Sequence, residues 1–283
     1  MVAPRFTRAH NSTMTVTRHP VAVRYRDPDL TSLRRTSATI ELQLAHRSVR
    51  SFLDSPVGDD ELTAIVAAAQ SAATSSNLQA WSVIAVRDPR RRARLAQLVG
   101  DQDAVRQAPL FLVWLADLGR AARLAEALDS PLEAPEYLES TILGFVDAAL
   151  AAQNAALAAE SLGLGTVFVG AVRNHPDRIA DELHLPDRVF AAFGLAVGVP
   201  DPDEAAGVKP RLPQRAVLHH EVYDTAADTA IDTYDRRLAG YNAEYRRDAG
   251  WIEPVLARLR DRDSLKGRHL LREHLTRRGL PSR

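Results

Sequence analysis

The sequence predicts one α+β domain with helical arms at its ends. Short apolar runs typical of strands alternate with amphipathic helices along most of the chain. No segment repeats, and no second apolar core is visible within the 283 residues. With 46% hydrophobic and 25% charged residues, the chain can also bury a full core.

The first predicted elements are a helix, a basic turn, a second helix and a strand. A short helix begins at Thr39 and leads into the turn 46–50. The next helix follows Gly58, where acidic residues favour the positive helix N-terminus, and the polar run 73–77 ends it. Alternating apolar residues at 81–86 then predict a strand.

The middle of the chain continues the alternation. Pro89 fits the first turn of an exposed helix that ends at Gly100. The continuous apolar run 110–116 predicts a strand that is buried on both faces. The alanine-rich segment 138–162 predicts a long central helix, and Gly163 ends it.

The last predicted elements run from a short strand to three helices. Strands at 165–170 and 190–199 flank a helix at 176–183. The two prolines of Lys209-Pro-Arg-Leu-Pro213 forbid helix and predict an extended strap. The remaining predicted helices are amphipathic or basic and cover residues 230–245, 254–261 and 266–278.

These elements divide the chain into three parts. Residues 1–37 are predicted to be a disordered basic tail, residues 38–220 the core, and residues 221–283 a helical C-terminal arm that packs on a partner. No run of 18 uncharged apolar residues occurs, and the N-terminus lacks the apolar stretch of a secretory signal. We therefore expect a cytoplasmic protein without a membrane role.

Composition excludes several classes of chemistry. The absence of cysteine excludes thiol nucleophiles, thiolate metal sites and cysteine-bound clusters. The nine histidines form no H-E-x-x-H motif, so no metal site is expected. Basic residues are concentrated at the two ends, but the 36 basic and 36 acidic residues balance, which argues against nucleic-acid binding. Redox chemistry would need a bound cofactor.

Two short, rigid clusters are suited to an anion. His46, Arg47, Ser48 and Arg50 occupy one turn, and Lys209 and Arg211 lie on the proline-stiffened strap. Arginine supplies a planar fork and lysine a point charge, so together the clusters can enclose a phosphate. The alternative is that each cluster forms ordinary surface salt bridges.

A second group of polar residues is uncharged. Thr74, Ser75 and Gln102 offer hydrogen bonds that suit a neutral heterocycle, although such residues are more often caps or turns. The same alternative holds for Gly170, since a glycine after a strand usually just ends it.

The order of the motifs resembles the oxygen-insensitive NAD(P)H nitroreductase and flavin reductase family, in its larger NADPH-preferring branch. The resemblance spans about residues 39–247 and depends on several motifs in one order, of which each alone is weak. The matching stretches are H-R-S-V-R at 46–50, S-S-N-L-Q at 75–79, G-D-Q at 100–102, the alanine-rich run at 146–165, F-V-G-A-V-R-N at 168–174, F-G-L-A-V-G-V-P at 193–200 and K-P-R-L-P at 209–213.

The resemblance implies a central, mainly antiparallel sheet surrounded by helices, in an intertwined homodimer with two FMN molecules at its interface. It implies that the FMN phosphate and ribityl chain are held by His46, Arg47, Ser48, Arg50, Lys209 and Arg211. It places Thr74, Ser75 and Gln102 at the flavin ring edge, and Phe168, Val169 and Gly170 beside the flavin near N5.

The implied activity is reduction of nitroaromatics, quinones or free flavin by NADPH or NADH, in a ping-pong reaction with hydride transfer through flavin N5. No side chain is required as an acid or base, because the cofactor carries the chemistry. Arg173, Arg246 and Arg247 are predicted to contact NAD(P)H or the substrate. The chain is several residues shorter than this family before Arg246, where an arginine would grip the NADPH 2′-phosphate, which leaves the choice of donor open.

Two alternatives remain at this point. A flavoenzyme of the same fold can catalyse another reaction, such as a dehydrogenation or dehalogenation, because fold does not determine substrate. A protein that binds nucleic acid or another anion through its basic ends is the other class, although no recognisable motif supports it.

Overall fold

The computed structural model describes residues 19–283, and four strands form its sheet. The strands are β1 (Trp81–Val86), β2 (Leu110–Asp117), β3 (Gly165–Val169) and β4 (Val189–Gly198). Their order is β1-β2-β4-β3, and every neighbouring pair is antiparallel. The predicted antiparallel α+β architecture is confirmed.

Eleven α-helices are present in the described part of the chain. They are α1 (Pro20–Tyr25), α2 (Ala38–Ala45), α3 (Asp59–Gln70), α4 (Pro89–Leu98), α5 (Asp103–Gln107), α6 (Gly119–Ala127), α7 (Leu138–Ser161), α8 (Pro176–Leu183), α9 (Ile231–Glu244), α10 (Ile252–Leu259) and α11 (Leu271–Arg277). The short helices α1, α5 and α6 were not predicted from the sequence. The others lie within a few residues of the predicted segments.

The sheet lies between two layers of helices. Along β2, Leu110, Leu112 and Trp114 face a core that includes α3 and α7. The alternate residues Phe111 and Val113 face a second core that includes α4, α5 and α8. Because successive strand residues point to opposite faces, an uninterrupted apolar run is what a strand covered on both sides requires.

The long helix α7 is buried on one side only. Its alanines pack against the sheet, whereas Ile142, Val146 and Leu150 remain 47%, 48% and 45% exposed. By length and composition alone this helix is apolar enough to cross a membrane, and 44% of its most apolar window is buried inside the protein. A core helix of a soluble domain meets the same description, and the packing of α7 on the sheet is of that kind.

The predicted disordered tail, residues 1–37, includes an ordered segment at 19–27. Residues 1–18 lie outside the described residues, but α1 is helical and Arg24 is only 5% exposed. The nearby Asp27 forms a 3.1 Å ion pair with Arg237, far along the chain. Composition indicates solvation for such a basic segment, and it cannot reveal partners that only the folded chain supplies.

The end of the predicted arm, residues 221–283, packs on its own chain. Leu280 is 1% exposed and lies in an apolar cluster with Phe190. The Arg188 amide donates to the Arg278 carbonyl at 2.7 Å, which fixes the end of α11. The end of this segment is therefore anchored on its own chain, because a few leucines among basic residues suffice to cover one edge of the core. Packing of the arm on a partner stays a prediction.

Candidate functional site

The basic turn 46–50 is held against the edge of the sheet. The Val49 amide donates to the Thr166 carbonyl at 2.9 Å, and the Leu53 amide donates to the Val199 carbonyl at 2.9 Å. A parallel bridge joins Ser48 to Thr166. The turn is thus positioned by β3 and by the chain that follows β4.

Close packing at Gly165 makes this position possible. A Cβ atom at Gly165 would lie 2.7 Å from Cγ2 of Val49, closer than real atoms approach. We expect Gly165→Ala to lower the free energy of unfolding by about 1–3 kcal/mol, because Val49 or β3 must move. Denaturant unfolding measures this change.

A second glycine is the matched control for this prediction. Gly240 lies inside α9, and a Cβ there would meet no atom within 4 Å. Gly240→Ala is expected to raise the free energy of unfolding by about 0.5–1 kcal/mol, through helix propensity. Equal effects of the two substitutions would contradict the close contact.

The strap at 209–213 lies next to the turn. The Tyr234 hydroxyl of α9 donates to the Pro210 carbonyl at 3.1 Å, which holds the strap against that helix. The two predicted clusters therefore meet in one pocket. Its lining residues are Arg24, His46, Arg47, Ser48, Arg50, Glu204, Ala205, Ala206, Gly207, Lys209, Arg211, Tyr241, Tyr245 and Arg247. We call this the cation pocket.

Positive charge in the cation pocket exceeds negative charge. Among its described lining residues, six are arginine or lysine and one, Glu204, is acidic. Glu204 accepts from Arg47 Nη1 and from the Arg50 amide, both at 2.8 Å. His46 of the pocket lining contacts Glu160, which is not part of that lining, at 2.7 Å through Nδ1. These contacts orient the turn and leave the strap cations for an anion.

The pKa values of two cations reflect this excess. Partial burial, together with Arg247, Arg50 and Arg211, lowers the pKa of Lys209. Burial and the neighbouring Arg211 lower the pKa of Arg24 to about 10. Like charges destabilise each other's charged forms, and a bound anion would reverse that effect.

The residues predicted for the ring edge lie outside the cation pocket lining. Thr74 and Ser75 begin a loop in which Ser76 and Gln79 have positive φ. Asp147 of α7 holds that loop, since its carboxylate accepts from the Ser75 amide at 3.1 Å and the Ala80 amide at 3.0 Å.

Gln102 is also outside the pocket lining. It precedes α5, and its side-chain Nε2 donates to the Val99 carbonyl at 2.9 Å. Within one chain, neither Gln102 nor the 74–79 loop lines the cation pocket together with the residues predicted to hold the phosphate.

The end of β3 offers an open backbone. Val169 is 2% exposed, whereas Phe168 is 40% exposed and packs edge-on against Phe193. A Cβ at Gly170 would meet only Arg173 Nη2, at an ordinary 3.5 Å. The chain's own packing therefore leaves room for a Cβ atom at position 170 and does not by itself require glycine there.

Arg173 belongs to a separate arginine cluster. Burial, then the charge of Arg258, lowers the pKa of Arg173, and its guanidinium donates to the Ala192 carbonyl. Arg268 lies close to both, and burial and those two cations lower its pKa as well. Of the two other arginines predicted to contact NAD(P)H, Arg247 lines the cation pocket and Arg246 does not.

Sequence reasoning missed three residues of this region. Arg24 was assigned to the tail, and Arg268 to a basic helix without a role. Asp147 carried a usable signal, because an acidic residue inside an apolar helix must find buried partners. The other two had no local signal.

Comparison with known sequences identifies the class. The Nitroreductase family profile matches residues 44–199, and the profile of its C-terminal domain matches residues 209–283. The chain is 41% identical over 227 residues to an FMN reductase (NADPH) of Bacillus subtilis, covering 77% of this chain and 90% of the relative. It is 41% identical over 225 residues to an oxygen-insensitive NADPH nitroreductase of Salmonella typhimurium, with the same two coverages.

Solved structures agree with this assignment. A B. subtilis nitroreductase superposes with a TM-score of 0.81 at 37% identity, covering 87% of this chain and all of the other. An NADPH:FMN oxidoreductase of Vibrio harveyi, solved with NAD⁺, has a TM-score of 0.77 at 35% identity and the same coverages. This chain belongs to the nitroreductase family.

Proposed function

We propose that this protein is an FMN-dependent NAD(P)H oxidoreductase that reduces nitroaromatics, quinones or free flavin in a ping-pong reaction. The observation that carries the proposal is the cation pocket, in which six lining cations face one lining carboxylate among the described residues. An anionic ligand is needed to balance such a site. The relatives named as FMN reductase and NADPH nitroreductase support the choice of ligand.

The described residues fit FMN. The turn residues His46, Arg47, Ser48 and Arg50, with Lys209 and Arg211 of the strap, would hold its phosphate and ribityl chain. Val169 and Gly170, where β3 ends, would lie beside its ring. When bound, FMN supplies the two-electron chemistry between NAD(P)H and the oxidant.

The protein's own residues bind and orient. Lys209 and Arg211 supply charge-assisted bonds to a phosphate, and the contacts of Glu204 keep the turn in place. Thr74, Ser75 and Gln102 would bond the ring edge, and Phe168 and Val169 would flank it. Arg173, Arg246 and Arg247 would contact the dinucleotide or the substrate, with Arg173 acting alongside Arg258 and Arg268.

The functional unit is proposed to be a cytoplasmic homodimer. The apolar stripe of α7, Ile142, Val146 and Leu150, is half exposed on the side of the helix that faces away from the sheet. Thr74, Ser75 and Gln102 lie outside the cation pocket of their own chain. In a homodimer, the same three residues of the second copy would bond the edge of the flavin ring. Burial of the stripe between two copies would also cover its apolar surface.

A spectrum and an assay test the proposed function. The purified protein should absorb as a flavoprotein, or become one after reconstitution with FMN, and should then oxidise NADPH or NADH when a nitroarene or quinone is added. A protein that neither contains nor takes up FMN would overturn the proposal. One that binds FMN but reduces no such oxidant would favour a different reaction on the same fold.

The pH dependence of FMN binding is a further prediction. We expect the affinity to fall as the pH rises into the alkaline range, because burial and neighbouring cations lower the pKa values of Lys209 and Arg24, and phosphate prefers their charged forms. For the apoprotein the sign is opposite. Between the lowered and the ordinary pKa the unfolded chain binds more protons, so stability rises with pH.

Fluorescence titration of FMN into apoprotein at several alkaline pH values measures this effect. Lys209→Ala should give a shallower decline, since one titrating group is removed. An affinity that stays level or increases with pH in the wild-type protein would contradict the assignment of these cations to phosphate binding.

A further inference from the structure

Arg24 lies in the cation pocket although its segment is outside the family match. The two profile matches begin at residues 44 and 209, so α1 and its flanks precede both. Arg24 nevertheless lines the pocket together with the turn and the strap. The N-terminal segment thus adds a side chain to a site that the family match alone would not include.

The Arg24 guanidinium connects the turn 46–50 with the strap 209–213. Its Nε donates to the Leu44 carbonyl at 3.0 Å, its Nη2 donates to the His46 carbonyl, and its Nη1 donates to the Lys209 carbonyl at 2.8 Å. In return, the Arg24 carbonyl accepts from the Arg211 amide at 3.2 Å. Arg24 therefore bonds to the backbone at the start of the turn and to the backbone of both Lys209 and Arg211 in the strap.

Other contacts keep Arg24 in this place. Arg237 of α9 donates to the Tyr25 carbonyl at 3.2 Å and to Asp27 at 3.1 Å. Arg26 pairs with Glu244 at the other end of α9 and lies over the Tyr241 ring. The segment is thus fastened to α9, so the reach of Arg24 into the pocket is determined by the fold.

A purely structural role does not explain the charge. Three backbone carbonyls can be satisfied by neutral donors, yet a cation is buried here beside other cations, and its pKa is lowered to about 10 as a result. Burying a charge among like charges is unfavourable until an anion arrives. The arrangement is consistent with a site prepared for phosphate.

We propose that Arg24 is a positioning residue for the FMN phosphate, which holds the turn 46–50 and the strap 209–211 at the spacing that lets both bind it. This inference rests on the proposed function. It assigns the N-terminal segment a part in cofactor binding.

The test compares FMN with riboflavin, which lacks the phosphate. Each is titrated into apoprotein of wild type, Arg24→Gln and Arg24→Lys, and thermal unfolding checks that each variant is folded. We expect Arg24→Gln to weaken FMN binding about tenfold or more while riboflavin affinity changes by less than about threefold. Arg24→Lys keeps the charge but replaces the three donor nitrogens of the guanidinium, each bonded to a different carbonyl, with one. It should therefore still lose FMN affinity.

Arg35→Gln is the matched control, because Arg35 is in the same N-terminal segment, is exposed and does not line the cation pocket. It should leave the FMN to riboflavin ratio unchanged. An unchanged ratio in Arg24→Gln, or full recovery in Arg24→Lys, would overturn the positioning role. If Arg24→Gln fails to fold, Arg24→Lys decides alone. A wild-type protein that binds no FMN would instead refute the proposed function.

Discussion

The double substitution Lys209→Ala with Arg211→Ala is expected to weaken FMN binding by about a hundredfold or more. Each cation contributes a charge-assisted bond to phosphate, worth about 1.5–3 kcal/mol, and every 1.4 kcal/mol is about tenfold in affinity. Both side chains line the cation pocket, where partial burial, and then neighbouring cations including Arg211, lower the pKa of Lys209. Titration of apoprotein with FMN measures the loss.

Arg215→Ala is the control for this pair. Arg215 lies two residues beyond the end of the strap, is exposed, and does not line the cation pocket. FMN affinity should be unaffected by its removal. The single variant Arg211→Ala should lose about tenfold or more, and unchanged affinity in the double variant would refute the phosphate assignment.

Leu150→Glu is expected to convert the proposed homodimer into a monomer with little bound FMN. The substitution places a carboxylate in the apolar stripe of α7, where Leu150 is 45% exposed in the single chain. An unpaired buried charge costs about 3 kcal/mol or more, and a two-fold interface contains it twice. A dissociation constant about ten-thousandfold higher follows from the sum. Light scattering coupled to size exclusion reads the mass directly.

Leu128→Glu provides the matched control. Leu128 is 75% exposed at the end of α6, away from the stripe, and the substitution makes the same chemical change. Its mass and FMN content should equal those of the wild type. A wild-type protein that is monomeric and still holds FMN would contradict the dimer proposal, and the ring-edge residues would then have to act within one chain.

Local patterns predicted most of the fold correctly. The run at 110–116 is apolar at every position, and β2 is covered by a core with α3 and α7 on one face and by a core with α4, α5 and α8 on the other. The strap was predicted from two prolines three residues apart, whose fixed φ and missing amides disfavour a helix beyond its first turn. The strand pattern and the proline strap depend on residues that are neighbours in sequence, so they can be predicted from the sequence alone.

The site was predicted in pieces. The turn 46–50 and the strap were each identified by charge and stiffness, and the family resemblance supplied their common ligand. That the two meet depends on long-range contacts, such as those of Val49 with Thr166 and of Tyr234 with Pro210. Local reasoning about either cluster contains no information about these partners.

By itself, the sequence determined the fold class, most helices and strands, the family, and the residue types suited to a phosphate. Only the tertiary structure decided that residues 19–27 are ordered, that Leu280 closes an edge of the core, and that Arg24 joins the turn to the strap. The physical reason is the range of the forces involved. Helix propensity, capping and strand alternation act within a few residues, whereas Arg24 is positioned by carbonyls that lie at least 20 residues away in the sequence.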